Sequence, residues 1–143
     1  MTKINSLLFF TLCPMLFFGQ SILGKWKTID DRNGLTKAIV NIYEKDGLLY
    51  GKIETILEKG KEDARCIKCK GDKKDKPVIG MVIIDGFKKN NKGEYKGDTL
   101  FDPEQGMTFR GKIWLDPDNP DKLKVRGYLA FLYRTQTWVR YNS

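Results

Sequence analysis

From Gly24 to the C-terminus, apolar residues alternate with polar ones and short turn signals interrupt them at close intervals. Leu123, Val125, Gly127 and Leu129 share one face of such a run, with Lys124, Arg126 and Tyr128 on the other. Phe109, Gly111, Ile113 and Leu115 repeat the arrangement opposite Arg110 and Lys112. A period of two is the mark of a half-buried β-strand. The pattern predicts strands near 25–29, 36–44, 48–57, 78–85, 94–101, 107–115, 122–130 and 134–141. KDG, NNKG, PEQG and PDNPD separate neighbouring runs, as hairpin connections do. No segment keeps a helical period over three turns. The expected fold is all-β: a single antiparallel up-and-down barrel of about eight strands, whose closure removes exposed sheet edges. A sandwich fits less well, because consecutive hairpins favour a meander. Eight strands enclose an interior that is either filled by side chains or able to hold one small ligand. The stretch 58–77 is the one long connection without apolar periodicity, and is expected to form a surface loop near a barrel rim.

The N-terminus has a different pattern. Lys3 precedes an apolar run from Leu7 to Phe18, broken only by Thr11, Cys13 and Pro14. A membrane-spanning helix needs about 20 apolar residues, so the run reads as the core of a signal peptide. Residues 1–20 are assigned to that peptide and 21–143 to the barrel domain, with cleavage expected between Gly19 and Ile22. An uncleaved anchor is the second reading. Lipoprotein processing at Cys13 is disfavoured, since Thr11-Leu12 lack the small residues it prefers. The protein is accordingly expected to be exported, periplasmic or secreted, with no transmembrane span in its mature form.

Composition narrows the chemistry. The formal charge is +8, and residues 59–76 hold eight Lys or Arg against four Asp or Glu. Such a basic tongue can meet phosphate or anionic lipid, or serve as a solvated linker. It contains no aromatic for base stacking, so no specific nucleic-acid binding is expected. There is no His, and the serines are Ser6, Ser21 and Ser143, which excludes a serine nucleophile with an imidazole base. Most carboxylates sit in turn-like strings such as Asp30-Asp31-Arg32-Asn33-Gly34 and Asp102-Pro103-Glu104-Gln105-Gly106. The run from Asp116 to Asp121 offers oxygens for calcium. It lacks the distal glutamate of an EF-hand and contains two prolines, so a hairpin loop is the preferred reading. No catalytic residue, metal site or cofactor is assigned.

Gly24-Lys25-Trp26, with Gln136-Thr137-Trp138-Val139-Arg140 far downstream, resembles the lipocalin-like superfamily. There, an early Gly-x-Trp strand packs against a cation from the last strand and closes one barrel end. More narrowly, the chain resembles the bacterial family called domain of unknown function 2147. The segments that match are LLYGKI at 48–53, CIKCKGDKKDKPVIGMVI at 66–83, DPEQGMTFRGKI at 102–113 and VRGYLAFLYRTQTW at 125–138. Ala130 stands where that family would have glycine. The resemblance implies a fold and a compartment but no activity.

Cys66 and Cys69 are the two cysteines left once the leader is removed. Zinc would need two carboxylate ligands beside them, and a thioredoxin-like role would need a helix start. In an oxidising compartment the simplest outcome is a disulfide between them. For function, the first expectation is a noncatalytic binding barrel for a small apolar or amphipathic molecule. Trp26, Tyr50, Gln136, Trp138 and Arg140 are its candidate lining, joined by Arg126 if that strand turns its face inward. The alternatives are a protein-interaction module using the outer surface and the basic loop, whose partner the sequence does not name, and a thiol-dependent envelope enzyme centred on Cys66 and Cys69.

Overall fold

The computed structural model describes residue 11 and residues 20–142. The expected signal peptide therefore lies almost wholly outside the described residues. Eight strands follow in chain order: β1 (Gly24–Ile29), β2 (Thr36–Lys45), β3 (Leu48–Ile56), β4 (Val82–Lys89), β5 (Tyr95–Asp102), β6 (Met107–Asp116), β7 (Asn119–Leu129) and β8 (Leu132–Arg140). Each pairs antiparallel with the next. The last pairs back to the first, Trp26 opposite Arg140 and Lys27 opposite Val139, so the sheet is a closed barrel. The only helix among the described residues is a single 3-10 turn, Gly71–Lys73. None there is long and apolar enough to cross a membrane.

Four boundaries differ from the alternation by more than one residue: both ends of β4, which runs on to Lys89, and the starts of β7 and β8. Val78 to Met81 looks strand-like, but Gly80 has φ 94° and the Met81 amide bonds back to the Val78 carbonyl, so the chain turns there and β4 starts at Val82. At the other hairpin, β7 begins at Asn119, earlier than the prolines suggested. Asp116 and Asn119 accept the Asp118 and Asp121 amides, so two oxygens of the possible calcium run are engaged in local turns.

The barrel's two ends differ. At the base lie the β2–β3, β4–β5 and β6–β7 hairpins and the segment before β1. Here the interior is solid: Trp26, Ile42, Leu49, Phe87, Ile113 and Leu123 are fully buried. Each such side chain stabilises the fold by about 1.5–3 kcal/mol. Phe87 fits because Gly111 faces it; a Cβ there would lie 2.9 Å from the Phe87 ring. At the mouth lie the connections 30–35, 57–81, 103–106 and 130–131, and there the interior is hollow.

Candidate functional site

A cavity of about 780 Å³ occupies the mouth half of the barrel. Its floor and one wall are apolar: Val40, Ile53, Ile56, Ile83, Leu100, Phe101, Phe109 and Val125 line it. The opposite wall, where β1 meets β8, is polar, with Thr28, Asp30, Arg134 and Gln136 above Trp138. The barrel thus sorts its lining by strand: β4–β6 bring in Ile83, Leu100, Phe101 and Phe109, and the alternation of β8 brings in Arg134, Gln136 and Trp138.

The polar wall is a connected chain. The Trp138 indole N–H donates to Gln136 Oε1 at 3.0 Å, and Gln136 Nε2 donates to Asp31 Oδ1 at 3.4 Å. Arg134 donates to the same oxygen, at 2.8 Å through Nε. Beside it Arg32 grips both oxygens of Asp30, at 3.1 and 2.9 Å. The side-chain hydrogen bonds from Arg32, then its backbone N–H, outweigh burial and hold the Asp30 pKa down to about 2. Lys37 bridges Glu58 and Glu104 at 2.8 and 2.7 Å, tying β2 to two mouth connections. Burial opposes its charge, but the hydrogen bonds to Glu104 and Glu58 prevail and its pKa is raised.

Not every cation at the mouth is so engaged. Lys61, Arg65 and Lys68 also line the cavity, and none of the ion pairs among the described residues includes them. All three belong to the basic connection. That connection is held by the Cys66–Cys69 disulfide, both of whose residues are buried. Cys66 Sγ lies 3.3 Å from the Pro103 carbonyl oxygen, so the bridge rests on the β5–β6 turn. Gly106 makes this fit possible: its φ is 65°, and a Cβ would meet the backbone at Lys68 and Cys69. The two sequence segments CIKCK and DPEQG are therefore in contact.

Of the residues that the sequence marks as lining, Gln136 and Trp138 face the cavity. Trp26 and Arg140 lie together at the base. The Arg140 guanidinium sits 4.3 Å from the Trp26 ring, and donates to Asp121 Oδ1 at 3.1 Å and to the Ser21 and Pro120 carbonyls at 2.9 and 3.0 Å. The Trp26 indole N–H donates to the Ile22 carbonyl at 2.9 Å. They form a plug. Tyr50 lies outside the lining, stacked on Tyr43 with ring centroids 5.7 Å apart. Arg126 is on the outer face of β7, opposite Lys112 and 4.2 Å from the Tyr133 ring. Its strand turns Val125, Gly127 and Leu129 inward instead. Arg134 needs only the alternation already used for Gln136 and Trp138, two residues further back. Asp30 and Asp31 read in the sequence as ordinary turn residues; Asp30 is indeed clasped locally by Arg32, but nothing local reveals Arg134 and Gln136 of β8 as the partners of Asp31.

Closed eight-stranded antiparallel topology, a plugged base and an open, partly apolar mouth define a lipocalin-like barrel. The chain belongs to the bacterial family of uncharacterized conserved proteins called domain of unknown function 2147, which it matches over residues 24–140. It is also similar in fold to a solved structure titled "Protein HP1028 from the human pathogen Helicobacter pylori belongs to the lipocalin family". The TM-score is 0.72 at 16% identity, covering 87% of this chain and 85% of that one. No curated protein matches it.

Proposed function

We propose that the protein is an exported, noncatalytic binding protein whose barrel holds one small amphipathic anion. The observation behind this reading is the division of the cavity: an apolar wall and floor below, and at the mouth Lys61, Arg65 and Lys68, which form no ion pair among the described residues. An apolar body would displace water from Leu100, Phe101 and Phe109, while an anionic head would meet the three cations. About 780 Å³ lies within the range of small-molecule pockets. A thiol enzyme is not favoured, because both cysteines are buried and joined to each other.

Native mass spectrometry of the extracted protein should show a retained small molecule. In titration, a long-chain carboxylate should bind roughly tenfold or more tightly than the matching alcohol, the difference of one charge-assisted contact. Lys68→Glu should reduce that preference. Equal, weak binding of both probes, with no retained molecule, would remove the reading.

A further inference from the structure

The mouth differs from the rest of the surface in one more respect. Large hydrophobic residues that are strongly exposed gather on or beside its four connections. Leu35 stands on the first and Ile67 on the second, 51% and 68% exposed. Phe131 forms the tip of the fourth at 90%, with Leu132 and Tyr133 beside it. At the base, Leu23 is the only strongly exposed large hydrophobic among the described residues. Isolated exposed apolar residues are ordinary on a protein surface; a ring of them around one opening marks an interaction surface.

Between these apolar residues stand cations. Arg65, Lys68, Lys70, Lys74 and Lys76 are all exposed on the basic connection, flanking Ile67. The Lys74 ammonium bonds the Ile67 carbonyl at 3.2 Å, so charge and apolar side chain are presented together. Apolar tips interleaved with lysines are the composition of a membrane-interface surface: the tips enter the acyl boundary while the ammonium groups meet phosphate heads. The two-residue β7–β8 connection suits such a tip. Ala130 holds φ 54°, so the chain reverses tightly and leaves Phe131 projecting.

We propose that the mouth docks on the surface of an anionic lipid bilayer, with Phe131 and Leu132 inserted and the 65–76 connection against the headgroups. Docking would bring the opening of the cavity onto the membrane, where an amphipathic ligand could pass between lipid and barrel without crossing water. That last step rests on the binding function proposed above; the docking itself does not.

The test compares full-length protein with two variants by vesicle flotation. Vesicles of phosphatidylcholine mixed with phosphatidylglycerol are set against phosphatidylcholine alone, at low and high salt. Any contribution from the apolar N-terminal run is common to all three proteins. Phe131→Asp should lower partitioning onto anionic vesicles roughly tenfold, since it puts a charge where an exposed aromatic would enter the acyl boundary. Lys70→Glu with Lys76→Glu should lower it by a similar factor at low salt and much less at high salt. Neither change touches the cavity lining, so binding of a soluble carboxylate probe should be unaltered, and circular dichroism should confirm intact barrels. Equal flotation of all three proteins would overturn the proposal, as would saturable capture of a protein partner through Phe131 without vesicle binding. Vesicle docking with no carboxylate binding would uphold the docking and remove the ligand reading.

Discussion

Arg140 does more than one job at the base. Its guanidinium covers the Trp26 ring and binds the exposed Ser21 and Pro120 carbonyls, so removing it uncovers an aromatic face and breaks two ties between the last strand and the base. Arg140→Ala should cost about 2–4 kcal/mol in a denaturant titration: a cation–π contact plus hydrogen bonds to a charged donor. Arg140→Lys should recover less than half, because an ammonium cannot cover the indole and reach three acceptors as a planar fork does. Equal stability of the three proteins would mean that the plug contributes nothing. Asp30 makes a different prediction. Its folded pKa, about 2, lies below its ordinary 3.8, so ionised Asp30 favours the folded state above that range. This contribution is fully present above pH 3.8 and fades as pH falls from there through about 2. Asp30→Asn should therefore flatten the acid limb of the stability profile in that window while leaving its neutral and alkaline shape alone. An unchanged acid limb would show that the Arg32 clasp does not persist in solution.

At the scale of elements, the strands were legible and their docking was not. Period-two alternation locates β6, β7 and β8 to within a few residues, because inner and outer faces of a closed barrel meet opposite solvents. The same logic separates Gln136 and Trp138 from Val139. It fails for Tyr50, since an outward tyrosine stacked on Tyr43 looks in sequence like an inward one. It fails also for the seat of the disulfide on the β5–β6 turn, a contact between residues 37 apart with no periodicity in either partner. Ala130 lies between these cases: glycine was expected from the family, and the structure gives the reason in a positive φ. The seat also changes what removing the cysteines should do. Closing so short a ring accounts for about 2 kcal/mol at most. Both residues are buried, so serine would add the cost of hydroxyls short of partners, roughly 1–3 kcal/mol. Replacing both by Ala should thus destabilise the protein less than replacing both by Ser. The reverse order would mean that the pair is solvated.

For the whole molecule, the central fact is that one barrel is solid at its base and hollow at its mouth. The buried cluster from Trp26 to Leu123 suffices to close the sheet, which frees the mouth half to remain open. Alternation could not decide this, because it marks which side chains point inward without showing whether they meet. Leu100, Phe109 and Val125 point inward and line empty space, while Phe87 and Ile113 point inward and close it. Ala38 is the residue through which to test the difference: it lines the cavity on β2 and is only partly buried. A bulky substitution inserted into a filled interior forces side chains off their rotamers and costs about 1–3 kcal/mol. In a cavity of about 780 Å³ the same side chain finds room and apolar neighbours. Ala38→Phe should therefore leave stability unchanged or raise it by up to about 1 kcal/mol, the gain of burying added apolar surface. It should at the same time weaken carboxylate binding roughly tenfold, because the ring occupies space the ligand needs. Destabilisation without loss of binding would show that the ligand lies elsewhere, and destabilisation beyond about 3 kcal/mol would show that the mouth half of the barrel is already full.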